Sequence, residues 1–281
     1  MKIVLHLGAH RTGTTTFQRA LAASRAPLAE AGLEVWTPAE LRRGGWLSGL
    51  DGHPRDAEPA AAARATEAIR AERARLEAAG RTCLLISEEN LPGTMRANLR
   101  TRSLYPDVTA WLSRLAPALE GAPLSLGLAI RPLESYWASA IASLVARNVT
   151  APPEAKVLAA IAASRRGWRH VIGEAATALP GAAITVWPSE PFAASPADQL
   201  RLLVPEAAGA LGAGDGAVHN AGAAQEARFT PDQAALLRAV DEADLSWLRG
   251  GAEARVRFVE RPEDCPAPGG GAQTGQGGDP A

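Results

Sequence analysis

The stretch KIVLHLGAHRTGTTTFQRAL, from Lys2 to Leu21, constrains this chain most, because it joins a buried strand, a glycine-bracketed loop and a helix without a spacer. The apolar run from Ile3 to Leu7 is short and broken only by His6, as in a central strand of a parallel sheet. Gly8 ends the strand and Gly13 lets the backbone approach a ligand. Thr14, Thr15 and Thr16 then open a helix that continues through Phe17 and Leu21. A helix start exposes unpaired N–H groups and the positive end of its dipole, so the arrangement predicts a bound phosphate or sulfate. A purely structural Gly-Thr turn is the other way to read the same residues.

The nucleotide-triphosphate loop, GxxxxGK[ST], has this spacing but not this chemistry. Gly8 and Gly13 match its glycines and Thr15 its final hydroxyl, while Thr14 fills the lysine position. The cation has moved inside the loop, to Arg11. Without the lysine a direct charge contact to a transferring phosphoryl group is missing, which disfavours ordinary ATP chemistry.

HLGAHRTGTTTFQ resembles the 5′-phosphosulfate loop of sulfotransferases that use 3′-phosphoadenosine 5′-phosphosulfate (PAPS). That family writes Lys or Arg, one residue, Gly, Thr, then Thr or Ser, which are Arg11, Thr12, Gly13, Thr14 and Thr15 here. The resemblance implies a P-loop-type fold in which Arg11 bridges the 5′-phosphate and the departing sulfuryl group. It further implies that Thr14, Thr15 and their amides hold the phosphate, with PAPS as donor cosubstrate and no metal. His10, in the same loop, could donate to ligand oxygens or simply shape the loop.

A second motif follows in LSLGLAIRPLESYWASAIASLV, a strand from Leu124 to Ile130 that ends at Arg131 and passes through Pro132 into a helix. The same family places an arginine at such a strand end and a serine eight residues later on the donor's 3′-phosphate, a spacing that Arg131 and Ser139 reproduce. Ser135, Ser139 and Ser143 recur at four-residue steps and share one helix face. A guanidinium at the strand end can reach over that face and meet Ser139 at one anion. Beside Ala138, Ala140 and Ala142, the stripe also suits close helix packing.

The third segment, TCLLISEENLPGTM, gives a strand over Thr82–Ile86 followed by Ser87, Glu88, Glu89 and Asn90 at its carboxyl end, where open α/β sheets collect active-site groups. Its Ser-x-Glu-Asn pattern resembles that of bacterial sulfotransferases and implies a carboxylate as general base. Glu89 is the first choice, Glu88 the second, and Ser87 a positioning or nucleotide contact. An ordinary carboxylate is a weak base, so the role asks for burial. Ser87 followed by acidic residues is equally a helix cap.

The remaining histidines carry less: His6 reads as a hydrogen-bonded core residue, and His170 as solvent-facing or capping on a helix. His53 and His219 fall in glycine-rich connections. Cys83 and Cys265 form neither a zinc spacing nor a CxxC pair, so the reading includes no metal. The net charge of −1 gives no general attraction to nucleic acid or an anionic membrane. A strand beginning at Lys2, isolated cysteines and the lack of a spanning apolar run lead us to expect a cytoplasmic protein with no transmembrane segment.

Strands and helices alternate along the chain: a strand at Leu33–Trp36, a helix over Ala60–Ala79, one near Val108–Leu119, another at Trp168–Leu179, a strand at Ala183–Trp187, and helices near Ala197–Leu203 and Pro231–Trp247. This predicts a three-layer α/β domain over residues 1–262, with a central, mainly parallel sheet and helices on both faces, ahead of a disordered Gly/Pro-rich tail at 263–281. Residues 37–57 read as a long connection that could cover the acceptor, with Trp46 and Trp168 as candidate walls. The segment HNAGAAQEARFT matches poorly the basic loop that often completes the family's 3′-phosphate site, leaving Arg228 as a candidate. The expected activity is sulfuryl transfer from PAPS to a hydroxyl or amine of a small-molecule, lipid or carbohydrate acceptor. Its rivals are a non-catalytic nucleotide-binding protein on the same scaffold and, less in keeping with the loop, a P-loop small-molecule kinase.

Overall fold

The structure is a computed structural model that describes residues 1–47, 50, 58–212 and 229–267. His53, His219, Arg228, most of the connection after Leu47, and the tail from residue 268 lie outside the described residues.

The first half of the chain runs β1 (Lys2–His6), α1 (Thr14–Ala23), α2 (Arg25–Glu30), β2 (Leu33–Trp36), α3 (Pro38–Gly44), α4 (Pro59–Ala78), β3 (Cys83–Ser87), α5 (Met95–Thr101), α6 (Val108–Leu119) and β4 (Leu124–Ile130). The second half runs α7 (Leu133–Ala146), α8 (Ala155–Ala163), α9 (Trp168–Ala178), β5 (Ala183–Pro188), α10 (Ser189–Phe192), α11 (Pro196–Leu203), α12 (Pro231–Arg249) and β6 (Val256–Phe258). A short 3₁₀ turn at Pro262–Asp264 follows β6.

The six strands form one sheet in the order β2-β3-β1-β4-β5-β6, every neighbouring pair parallel. Successive residues of the inner strands feed opposite faces, as the two-residue side-chain period requires. Ile3, Leu5, Leu84, Ile86, Leu126 and Leu128 join the larger core on one side. Val4, Leu85 and Ala129 join Phe17, Leu21, Leu28 and Leu200 on the other. Burial on both faces explains why these strands read as unbroken apolar runs. In α4 only Ala65, Ile69 and Leu76 are buried, a narrow stripe that leaves the charged residues to solvent.

The first strand sits in the middle of the sheet, flanked by β3 and β4. The strand order reverses there, so the carboxyl ends of β3, β1 and β4 open side by side onto one crevice, the usual ligand position in open α/β sheets. The three motifs therefore share one edge of the molecule.

Two strands are displaced by one residue from the expected limits, and Leu7 continues β1 only by a bond from its N–H to the Gly127 carbonyl (2.9 Å). The segment from residue 37 is not wholly a connection, because α3 forms on a capping box between Thr37 and Glu40 with Pro38 in the first turn. Helices α2, α5, α8 and α10 and strand β6 are additional to the expected elements.

Candidate functional site

The β1–α1 loop places a cation by holding backbone in an uncommon conformation. Gly13 caps α1 with φ 86°, and no side chain caps the helix, so its positive end faces the loop. Arg11 itself has φ 69°, a left-handed backbone that ordinary side chains adopt at some cost and that concentrates at functional sites. Thr12 is buried, its hydroxyl bonded to the Ala9 carbonyl and 3.5 Å from that of Thr14. Thr14 is buried as well, turned under Gly8, while Thr15 is half-buried.

Arg11 and Arg131 do meet. Arg131 Nη1 donates to the Arg11 carbonyl (2.9 Å), joining the end of β4 to the loop after β1. The pairing with serines is crossed relative to expectation: Arg11 Nε donates to Ser139 Oγ (2.8 Å), whereas Arg131 Nε reaches Ser135 Oγ (3.0 Å). Ser139 is buried beneath the arginine. The strand end is braced by Trp168, whose Nε1 donates to the Arg131 carbonyl (2.7 Å), and the start of α7 by Asp241, which accepts from the Leu133 N–H (2.8 Å). Trp168 is thus a buried brace, 1% exposed, and not a wall for an acceptor.

A third guanidinium belongs to this group. Burial lowers the proton affinity of Arg11, and the charges of Arg131 and Arg147 lower it further. Arg147 follows α7 one more four-residue step beyond Ser143, so the serine periodicity carried the signal that would have found it. The charges of Arg131 and Arg147 disfavour that of Arg11, and a polyanion bound among them would relieve the repulsion.

Around β3 the groups are carboxylates and their supports. Ser87 Oγ lies 2.8 Å from His6 Nδ1 and accepts from Gln18 Nε2 (3.3 Å), so its proton is directed to His6. His6 is fully buried and its pKa is lowered to about 3 by desolvation, which keeps the ring neutral with its proton on Nε2. That Nε2 has no hydrogen-bond partner and lies just below Gly8, where a side-chain carbon would fall 2.9 Å from it. The core histidine expected from sequence is therefore bonded on one nitrogen only.

Glu88 is buried and Glu89 half-buried. Desolvation, helped by the charge of Glu89, raises the pKa of Glu88 above the usual carboxylate value, against two bonds from Asn90 to its Oε1. Asn90 donates through Nδ2 (2.6 Å) and so turns its Oδ1 to His10 Nε2, 3.1 Å away. His10 Nε2 must then carry a proton. The His10 pKa is lowered chiefly by burial, so the ring is neutral and Nδ1 accepts from the Tyr105 hydroxyl (2.6 Å). His10 thus ties the loop to β3 and shapes it. Tyr105, a residue not expected at the site, is fully buried with φ 42°. Glu89 takes a bond from Gln18 Nε2 (3.1 Å).

A cavity of about 540 Å³ opens beside these groups, walled by Leu41, Leu47, Leu50, Leu91 and Trp111 and reached by Glu88 and Asn90. The segment expected to cover the site supplies three of those leucines. Trp46 instead stacks on Trp36, ring centres 3.9 Å apart. His170 is exposed and accepts from the Gly167 N–H (3.3 Å) at the start of α9.

Among the described residues no group of His, Cys, Asp and Glu is arranged to hold a metal ion, and no helix is long and apolar enough to cross a membrane. Comparison with protein-family models, with curated proteins and with solved structures gives no match.

Proposed function

We propose that the protein transfers a sulfuryl group from PAPS to a hydroxyl or amine acceptor. The observation that carries this reading is the junction of Arg11 with Arg131 and Ser139, which puts both halves of the expected donor site within one hydrogen-bonded cluster. The loop, the uncapped start of α1 and Arg11 form the 5′ end of the donor site. Arg131, Ser139, Ser135 and Arg147 form the 3′ end. On donor binding Arg11 gives up Ser139 to the 3′-phosphate and turns its guanidinium toward the phosphosulfate.

Glu88 is the better base of the two carboxylates. Its raised pKa and its place on the cavity wall suit it to take the acceptor proton, while Glu89, bonded to Gln18, holds the loop side of the site. In the transfer, Glu88 removes the acceptor O–H or N–H proton, the acceptor atom bonds to sulfur, and the sulfur–oxygen bond to the 5′-phosphate breaks. The leaving group is 3′,5′-adenosine bisphosphate. Arg11 and the amides of the Gly13–Thr15 turn stabilise the charge that gathers on the departing phosphate, where a single donor contributes on the order of 10² to 10³ in rate. A cytoplasmic setting is consistent with Cys83 and Cys265 being free thiols.

Calorimetry tests the donor site. Binding of 3′,5′-adenosine bisphosphate should exceed that of 5′-AMP by about tenfold or more, the scale of a charge-assisted contact to the 3′-phosphate. Equal affinities would defeat the assignment.

A further inference from the structure

Glu88 is held through one oxygen. The backbone N–H of Asn90 (3.0 Å) and its Nδ2 (2.6 Å) both donate to Oε1, which leaves Oε2 for a ligand in the cavity that Glu88 lines. Asn90 is exposed, yet its amide is not free to turn, because its Oδ1 lies 3.1 Å from His10 Nε2. His10 is fixed in turn by Tyr105, whose hydroxyl accepts from the His10 N–H (3.0 Å) and lies 2.6 Å from Nδ1. A phenol beside an unprotonated imidazole nitrogen donates to it. Tyr105 is itself locked in place: Asn98 Oδ1 accepts from its N–H (3.1 Å), and Arg166, paired with Glu174, donates to the carbonyls of Leu104 and Tyr105.

We propose that Asn90, His10 and Tyr105 are positioning residues for Glu88, a chain of donors running one way from the Tyr105 hydroxyl that fixes the carboxylate through Oε1 and presents Oε2 to the cavity. The inference deepens the sulfuryl-transfer reading and rests on it only for what Glu88 does with an acceptor proton. The direction of the chain is what matters. With the His10 proton on Nδ1, Nε2 would become an acceptor, and Asn90 could meet it only by turning Oδ1 toward Glu88, oxygen against oxygen. The Tyr105 hydroxyl excludes that arrangement from two side chains away. Because His10 precedes Arg11, the same chain sets the carboxylate against the proposed donor loop, where small errors of placement cost rate. Donation to a carboxylate favours its charged form, so the Asn90 bonds oppose the desolvation that raises the Glu88 pKa. The other charges facing Glu88 are Glu89, which raises that pKa, and Arg42, which lowers it. Changes within the chain leave both in place.

The test is NMR titration of the whole chain, following the Glu88 carboxyl carbon, assigned through Glu88→Gln, and the ring nitrogens of His10. It compares the unaltered protein with Asn90→Leu and Tyr105→Phe. The expected results are a His10 proton on Nε2 in the unaltered protein and a Glu88 midpoint moved to higher pH in Asn90→Leu. In Tyr105→Phe a share of His10 should carry its proton on Nδ1, with a smaller rise in the Glu88 midpoint. Asn90 is exposed and Tyr105→Phe removes one oxygen, so both variants should fold, which cooperative thermal unfolding checks. The His10 tautomer of the unaltered protein needs no variant. His10 protonated on Nδ1 there, or a Glu88 midpoint unmoved in either folded variant, would overturn the inference. If these shifts occur while calorimetry shows no binding of 3′,5′-adenosine bisphosphate, the chain stands and the donor reading falls.

Discussion

The proposed donor side and the proposed acceptor side of the sheet edge are built by opposite means. On the donor side, cations and hydroxyls are set by short stretches of chain, in which a strand end, a turn and the first turns of a helix each contribute in order. On the proposed acceptor side, the cavity gathers residues from α3 and the segment after it, the loop after β3, the N-cap of α5 and the first turn of α6, and only Glu88, Asn90, Leu91 and Thr94 come from a segment that the sequence singles out. A polyanion can be held by local geometry, because backbone amides and a few arginines suffice. An acceptor body needs a surface, and a surface has to be assembled from distant parts of the chain.

The sharpest break in that comparison is between Arg11 and Glu88. Arg11→Ala should lower turnover by about 10² to 10³ and weaken bisphosphate binding, whereas Glu88→Gln should cost about 10² or more in turnover while leaving that binding intact. Steady-state kinetics with labelled PAPS, beside calorimetry, separates the two, and a larger loss of turnover for Glu89→Gln would return the base to Glu89. Since the pKa of Glu88 is raised, the acid limb of the rate profile should lie above the ordinary carboxylate range and vanish in Glu88→Gln.

A smaller effect separates the ends of the donor site. Arg131→Ala should weaken the bisphosphate about tenfold, and Arg147→Ala by about threefold, since Arg147 is exposed and its charge is screened. An Arg147 effect equal to that of Arg131 would place the 3′-phosphate farther along α7.

The last effects are on stability, and they have opposite signs in two supports of the site. The pKa of Asp241 is raised to about 7, mainly by desolvation. The folded state then holds a proton that the unfolded state releases, so this group removes stability as pH rises from about 4 to 7. His6 is held neutral with a pKa of about 3, so it removes stability as pH falls from about 6.5 toward 3. Urea unfolding across this range should show Asp241→Asn losing the first slope and His6→Asn the second.

The sequence was most readable where the physics is local. The limits of β2, α6 and β4 follow from their apolar runs and flanking breakers, and the loop from its glycines and threonines. Helix α3 was hidden by the glycines at 44, 45, 49 and 52, although Thr37, Pro38 and Glu40 already spelled a helix start. Tyr105 could not be foreseen at the site, because its hydroxyl meets His10 across 95 residues of sequence. Trp168, a candidate wall from sequence, proves a brace for a related reason: its N–H meets the Arg131 carbonyl across 37 residues of sequence. The crossing of serines between Arg11 and Arg131 depends on side-chain reach, which spacing does not encode.

The left-handed backbone at Arg11 sets folding and chemistry against each other at one position. Glycine there would relieve about 1 kcal/mol of local strain while deleting the cation. Selection for heat tolerance alone would therefore drift this residue toward Arg11→Gly, giving a protein that melts later and lacks the cation on which the proposed donor site depends.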